Sequence, residues 1–400
     1  MSKSQAALNQ TLSEEQFASL LASVHQIGKD VLAVNAASVD EKARFPSESV
    51  AALKELKLLS AYLPVKLGGM GLSTQQVARI CEALGHYCGS TAMIYAMHKI
   101  QVACILHHYQ QSEFFTAYLK KLVAEQRLIA SATTEIGVGG DLRSSICAVE
   151  YDGDKISLLK KAPVISYGED ADDLMITARR VDSTAKSDQV HILVAKDQYT
   201  LEPISNWDTL GFRGTCSAGF NVSINADKAQ ILPVPFADIL SQTMHPYAHI
   251  VWASLWSGIA ADAVNKARHY VKGQARKNID TPPIAAIRLG EVDSTLQIMR
   301  NNITVAVSEY EQLLSHGDAN SFTNFGFSIR INNLKMTSAK IIVDIVGQAM
   351  MICGIASYRN DSDASLSRHI RDAYGAALMV NNDRIMWHNS TLLLMHKEEH

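Results

Sequence analysis

Residues 128–141 read LIASATTEIGVGGD, and this stretch decides how the rest of the chain is parsed. Leu128 to Thr134 alternate apolar and small or β-branched residues, as a half-buried strand requires. Gly137, Gly139 and Gly140 then follow within four residues. Glycine accepts positive φ and exposes main-chain N–H groups, so a glycine-rich segment after a strand lets a planar or phosphorylated ligand approach the backbone closely. Thr134 places a hydroxyl at the edge of that segment.

Before this stretch, from Leu12 to about Gln126, the pattern is helical. Phe17, Leu20, Leu21, Val24, Ile27 and Val31 recur at steps of three and four. Ser13 with Gln16 and Ser73 with Gln76 have capping-box spacing. Phe45-Pro46, the Leu67–Gly71 run and Cys88-Gly89-Ser90 break the pattern. After the stretch come short β-rich runs, ICAVEY, KISLLKK, DLMITAR, VHILVA, FNVSIN and AQILPV, with Asp152-Gly153-Asp154 as a hairpin signal. With LIASATT they predict an all-β unit of about seven strands. From His249 onward long helical patterns return, with apolar residues on more than one side, as a bundle core or subunit interface requires. The predicted class is α+β: a helical domain over 1–127, a β-barrel or sandwich over 128–240 and a helical bundle over 241–400.

The chain has 400 residues, 47% hydrophobic and 19% charged, which suits a large packed core and excludes disorder. Its 37 basic and 40 acidic residues are interspersed, so no nucleic-acid or membrane-surface partner is expected. The six cysteines include no C-x-x-C pair, which argues against a disulfide framework or a cysteine metal site. The first sixteen residues have neither an apolar core nor arginine-rich character, and no run of about 18 apolar residues occurs, so a cytoplasmic location is expected.

Four motifs in order carry a family resemblance. Residues 132–141, ATTEIGVGGD, resemble the acyl-CoA dehydrogenase signature A-x-T-E-P-G-x-G-S-D. Leu67-Gly68-Gly69-Met70-Gly71 is similar to that family's early G-G-x-G turn, and Leu210–Thr215 to its L-G-x-R-G-[ST] stretch. Arg368 with Arg371-Asp372-Ala373 resembles its late R-x-x-R-D-A motif. The resemblance implies the three-part fold of that family, ending in a four-helix bundle, with one FAD per subunit. It also implies a substrate carried as a thioester of CoA or acyl carrier protein, and a homodimer or homotetramer.

By the same resemblance, Ser131, Thr133, Thr134, Gly139, Val164 and Ser166 line the cofactor. The Thr134 hydroxyl would meet the flavin pyrimidine edge and the Ser166 hydroxyl would face N5. Arg276 would reach the diphosphate of a neighbour's FAD, which a guanidinium fork suits. Each has a plainer reading: a strand threonine, a turn serine, and a helix C-terminal arginine offsetting the dipole. The family's following R-x-x-F-G is not kept, since Lys277-Asn278-Ile279-Asp280 stand there.

Dehydrogenating an acyl thioester needs a base for the α-proton while flavin accepts hydride from the β-carbon. The family often supplies a glutamate eight residues after the aspartate of R-D-A. That position is Val380 here, followed by Asn381-Asn382. A second family position for the base falls on Ala248, and Pro246 and His249 stand where aspartate and arginine often hold the CoA-bound substrate. Gly140 replaces the substrate-facing serine, so Gly140 and Val380 mark an altered substrate side. His98, His245 and His249 are the candidate replacement bases, because histidine titrates near neutral pH. His98 also lies on the helix that supplies an active-site histidine in flavin monooxygenases of this fold. The plainer reading of each is a satisfied core histidine. His388 is a weaker candidate, and Asp383 and Glu291 read as solvated or structural. Three functions remain open: an acyl-thioester oxidoreductase, a flavin-dependent oxygenase in which glutamate loss is expected, and a flavoprotein without turnover.

Overall fold

In the computed structural model, which describes residues 12–276 and 284–396, Ser13 and Ser73 cap helices as their spacing predicts. Each hydroxyl accepts the amide of the glutamine three residues on, and each glutamine side chain returns to the cap amide. The first of these helices, α1 (Glu14–Ile27), passes through a single π-turn into α2 (Ala33–Glu41). There follow α3 (Ser47–Glu55), α4 (Thr74–Tyr87), α5 (Gly89–His108) and α6 (Glu113–Glu125).

The middle of the chain forms two small sheets. In one, β1 (Ile129–Ala132) runs parallel to β4 (Asp173–Arg179), which pairs antiparallel with β5 (Gln189–Ala195). In the other, β2 (Glu150–Asp152), β3 (Lys155–Ala162), β7 (Gly219–Asp227) and β6 (Tyr199–Ser205) lie antiparallel in that order. The Asp152-Gly153-Asp154 hairpin joins β2 to β3 as expected, with Gly153 at φ +60°. One predicted strand is not there. AQILPV makes only the bridge from Ile231 to Ile192, because Pro233 and Pro235 lack the amides a ladder needs. Its place is taken by β6, an edge strand whose Pro203 interrupts the alternation that would have revealed it.

The last part contains α7 (His245–Ala275), α8 (Ala285–His316), α9 (Phe325–Cys353), α10 (Ser367–Leu378) and α11 (Asn382–Met395). Helix α7 packs against α4, α5, α8, α9 and α10 and is the spine of the molecule. It crosses α4 closely, since a Cβ on Gly85 would lie 2.2 Å from the Leu255 carbonyl oxygen and one on Gly258 2.0 Å from that of Glu82.

The L-G-x-R-G and R-x-x-R-D-A segments meet as a joint between all three parts. Asp372 Oδ1 accepts the Phe212 amide at 2.6 Å, and Gly211 lies against the Arg371 carbonyl, where no Cβ fits. Arg371 forms a two-pronged ion pair with Asp40 of α2, and Arg213 Nε donates to the Asp40 carbonyl. These motif residues hold the β unit to the helices on either side.

Candidate active site

Glu135 builds the glycine turn. Its buried carboxylate accepts the Cys147 amide at 2.7 Å, the Ile146 amide at 3.1 Å and the Ser145 hydroxyl at 2.7 Å. With the turn held from below, Gly137, Gly139 and Gly140 adopt φ of +97°, +63° and +78°. Thr134 Oγ1 donates to the Val164 carbonyl at 3.2 Å, which keeps its oxygen lone pairs for an N–H donor. Two residues on, Ser166 Oγ accepts from Ser217 Oγ at 2.8 Å, so its own proton is available to an outside acceptor. Beside these hydroxyls Val164 and Ile136 are exposed apolar side chains, and a Cβ on Gly139 would meet nothing within 4 Å. An apolar shelf with one acceptor, one donor and bare backbone amides fits the flat, edge-polar ring of a flavin.

The helical wall opposite is unusually polar for a bundle core. His245, at the start of α7, is partly buried, and its Nε2 lies 2.8 Å from Asn332 Oδ1 of α9. The Asn332 amide donates to Asn389 Oδ1 of α11 at 2.7 Å, and the Asn389 amide to Asn333 Oδ1 at 3.0 Å. This one-way chain of amides makes Nε2 the protonated nitrogen of His245. Nδ1 then keeps its lone pair, and among the described residues nothing donates to it. Burial, together with the Arg143 and His388 charges, pulls this ring down to about 4. His249 packs edge to face on His245 with ring centres 4.6 Å apart, is buried, and has Nδ1 3.3 Å from the Ile331 carbonyl. Burial and its charged neighbours hold it well below the usual histidine range.

Two contacts close this wall onto the glycine turn. Arg384, in the first turn of α11, hydrogen-bonds the Gly139 carbonyl, and a Cβ on Gly140 would come within 2.6 Å of its guanidinium. One helical turn later, His388 Nε2 accepts from Arg143 at 3.0 Å. The glycine where the family has serine is therefore matched by an arginine that needs the space. Val380 lies just before α11, partly buried, and its carbonyl takes a hydrogen bond from Lys335 of α9.

The expected residues thus fall into groups. Thr134, Gly139, Gly140, Val164 and Ser166 form the shelf, and His245, His249 and Val380 lie on the wall. Ser131 is paired with Met175 in the sheet below, and the Thr133 carbonyl accepts Thr177 Oγ1 at 3.3 Å, so both support the shelf. His98 is a correction. It is 0% exposed, the Ile129 amide donates to its Nδ1 at 3.1 Å and its Nε2 meets the Leu59 carbonyl at 2.8 Å. Burial drives it down to about 3, and with both nitrogens taken it latches α5 to β1 and has no lone pair for a substrate. Arg276 is exposed at the end of α7, 31 residues from His245 and therefore roughly 45 Å away along the helix, so the role expected of it, toward a neighbour's FAD, lies outside this cleft. The Lys277–Asp280 departure lies outside the described residues. Arg143, Lys335, Asn332, Asn389 and Arg384 were missed. The signal for two of them, Asn332 and Lys335, was present as INNLK within an apolar run.

Known proteins agree with this architecture. Residues 13–126 match the acyl-CoA dehydrogenase N-terminal domain and residues 250–382 the acyl-CoA dehydrogenase C-terminal domain. The chain is 23% identical over 360 residues to a probable acyl-CoA dehydrogenase, YngJ, of Bacillus subtilis, covering 88% of this chain and 90% of that one. Its fold matches butyryl-CoA dehydrogenase of Megasphaera elsdenii with a TM-score of 0.81 at 18% identity, over 96% of this chain and 100% of that one. It equally matches dibenzothiophene monooxygenase, TdsC, of Paenibacillus sp. A11-2, with a TM-score of 0.81 at 18% identity over 96% and 98% of the two chains. The two matched domains flank the β unit whose turn and shelf are described above, and the chain belongs to the acyl-CoA dehydrogenase family.

Proposed function

We propose that this protein is an FAD-dependent oxidoreductase acting on an acyl thioester of CoA or of acyl carrier protein, with His245 moving the substrate proton. The family's cofactor is FAD, which when bound supplies the two-electron acceptor. Thr134 and Ser166 would hold the ring edge, and Val164 and Ile136 would cover its face. The observation that carries the reading is the wall opposite: Val380 cannot accept a proton, whereas His245 has a fixed tautomer and a lone pair on Nδ1. Orienting a histidine through its second nitrogen is a recurrent way to prepare a general base. Exposed Tyr374, Leu378, Trp387 and Leu394 on α10 and α11 give a homo-oligomer a large apolar surface.

A second reading is a flavin-dependent oxygenase. It is supported by the loss of the carboxylate at Val380 and by the structural likeness to a monooxygenase. One experiment separates the readings. The protein is reconstituted with FAD and mixed anaerobically with a panel of acyl thioesters while the flavin absorbance is followed. Bleaching without oxygen supports dehydrogenation. Product that appears only with oxygen and an external reductant supports the oxygenase. Failure to take up FAD overturns both.

A further inference from the structure

Lys335 lies within α9, a long and largely apolar helix. Its side chain is 0% exposed. The ammonium donates to the Val380 carbonyl and, at 2.6 Å, to Asn382 Oδ1. Among the described residues no carboxylate pairs with it. An unpaired buried ammonium is costly, and a methionine of similar volume would remove the cost, so packing alone does not account for this lysine. Asn332, one turn earlier on the same helix, is also buried and is the partner of His245. His249, one turn after His245, rests on the backbone of α9 at Ile331. Asn332 and Lys335 therefore form one polar stripe, facing α7 on one side and the turn between α10 and α11 on the other.

We propose that Lys335 is a positioning residue for the flavin chemistry: its ammonium pins the Val380–Asn382 turn to α9 and sets a fixed positive charge behind the cleft wall. The sign of charge is then opposite to that of a carboxylate presented from the same turn. Two consequences follow. A positive neighbour resists protonation of His249, whose ring already faces His245 on α7, and so keeps the pair neutral. The same charge favours negative charge gathering in the cleft, whether on a substrate or on a reduced cofactor. Burial lowers Lys335 to about 8, so the charge is present at neutral pH and is lost in mildly alkaline solution. The other charged or titratable groups near the histidine pair are Arg143 from the glycine turn and His388 from α11. The inference rests on the flavin reading only for its redox consequence.

The test uses Lys335→Met and Lys335→Arg in the full-length protein. The first readout is the midpoint potential of bound FAD, measured by anaerobic dye equilibration across about pH 6.5 to 9.5. At neutral pH, Lys335→Met is expected to shift the reduced-to-oxidised ratio at least tenfold toward oxidised, about 30 mV for a two-electron couple. Lys335→Arg is expected to stay within about threefold of wild type, and wild type alone to show a break near pH 8. The second readout is histidine titration by NMR without cofactor, where His245 and His249 are expected to titrate at higher pH in Lys335→Met. A folded Lys335→Met protein with wild-type potential and wild-type titrations overturns the proposal and leaves a helix-end cap. If wild type takes up no FAD, the flavin reading fails and the histidine titrations alone decide the role of Lys335. If Lys335→Met does not fold, the wild-type series decides, and a potential without a break through pH 8 overturns it.

Discussion

The ring of His245 is oriented by Asn332: Nε2 and Oδ1 stand 2.8 Å apart, and the asparagine is itself held by Asn389. Because an amide oxygen only accepts, the proton sits on Nε2, and the free lone pair is fixed on Nδ1. His245→Gln is expected to lower kcat/KM at least a hundredfold with FAD content unchanged, the range of a general base. Asn332→Ala frees the tautomer and is expected to cost about tenfold, with His245 titrating differently. Full activity of His245→Gln on an established substrate would remove this base from consideration.

His98 is expected to behave in the opposite way. Its replacement by alanine leaves the buried Ile129 amide without a partner, at about 1–3 kcal/mol, and strips the Leu59 carbonyl of one of its two donors, the other being the Lys99 ammonium at 2.7 Å. His98→Ala should therefore lower the urea midpoint strongly, while activity per folded, FAD-loaded molecule stays within about threefold. A large drop in turnover without a drop in stability would return His98 to the reaction.

The fold was legible because strong periodic signals survive in single segments: the capping boxes at Ser13 and Ser73, the hairpin at Gly153, and the strand-to-glycine step at Thr134. β6 was not legible because Pro203 and an exposed edge erase the alternation that marks a strand. On the site, the shelf could be read from the motif, but the wall could not. His98 and His245 are both histidines in apolar helical runs, and only the third dimension shows that backbone groups take both nitrogens of His98 while the Asn332 side chain takes a single nitrogen of His245. Gly140 read as a lost serine. Its meaning depends on Arg384, 244 positions away and without a local pattern.

That pair gives a further prediction. Gly140→Ala both forces a side chain into positive φ and collides with the Arg384 guanidinium, so it should destabilise the turn by about 1–3 kcal/mol. Adding Arg384→Ala should recover the steric part and leave the backbone part. A double-mutant cycle with no coupling between the two positions would show that the contact carries no energy.

Acid should destabilise the protein before most carboxylates titrate. Burial lowers His98, His108 and His191 to about 3, and His107 and His245 to about 4. The unfolded chain takes up these protons near pH 6.5, so below that pH it binds more protons than the fold, and stability falls as pH falls from about 6.5 to 4. Asp372 acts in the opposite direction, since burial raises it to about 6 and the fold holds its proton longer. Asp170, also raised by burial, adds to Asp372, and five histidines against two carboxylates leave a net loss. Urea midpoints between pH 5 and 7 should rise with pH, and a flat profile would show that the histidines are solvated in solution.

The last prediction joins Val380 to His245. Lys335 holds the Val380 backbone carbonyl and not its side chain, so the turn tolerates a different residue there without losing its anchor. In a His245→Gln background, Val380→Glu places a carboxylate at the position where related dehydrogenases carry one, with the Lys335 ammonium close enough to keep it ionised. If the native reaction is α-proton abstraction from an acyl thioester, this double variant should recover at least about tenfold over His245→Gln, a gain of ~1.4 kcal/mol in the barrier. Val380→Ala in the same background should recover nothing, which separates a restored base from a relaxed turn. If the reaction is oxygenation, no α-proton needs removing, and the added carboxylate should give no recovery under air. A rescue that requires a thioester and persists without oxygen, with any other electron acceptor present, would establish the dehydrogenase reading and the place of His245 within it.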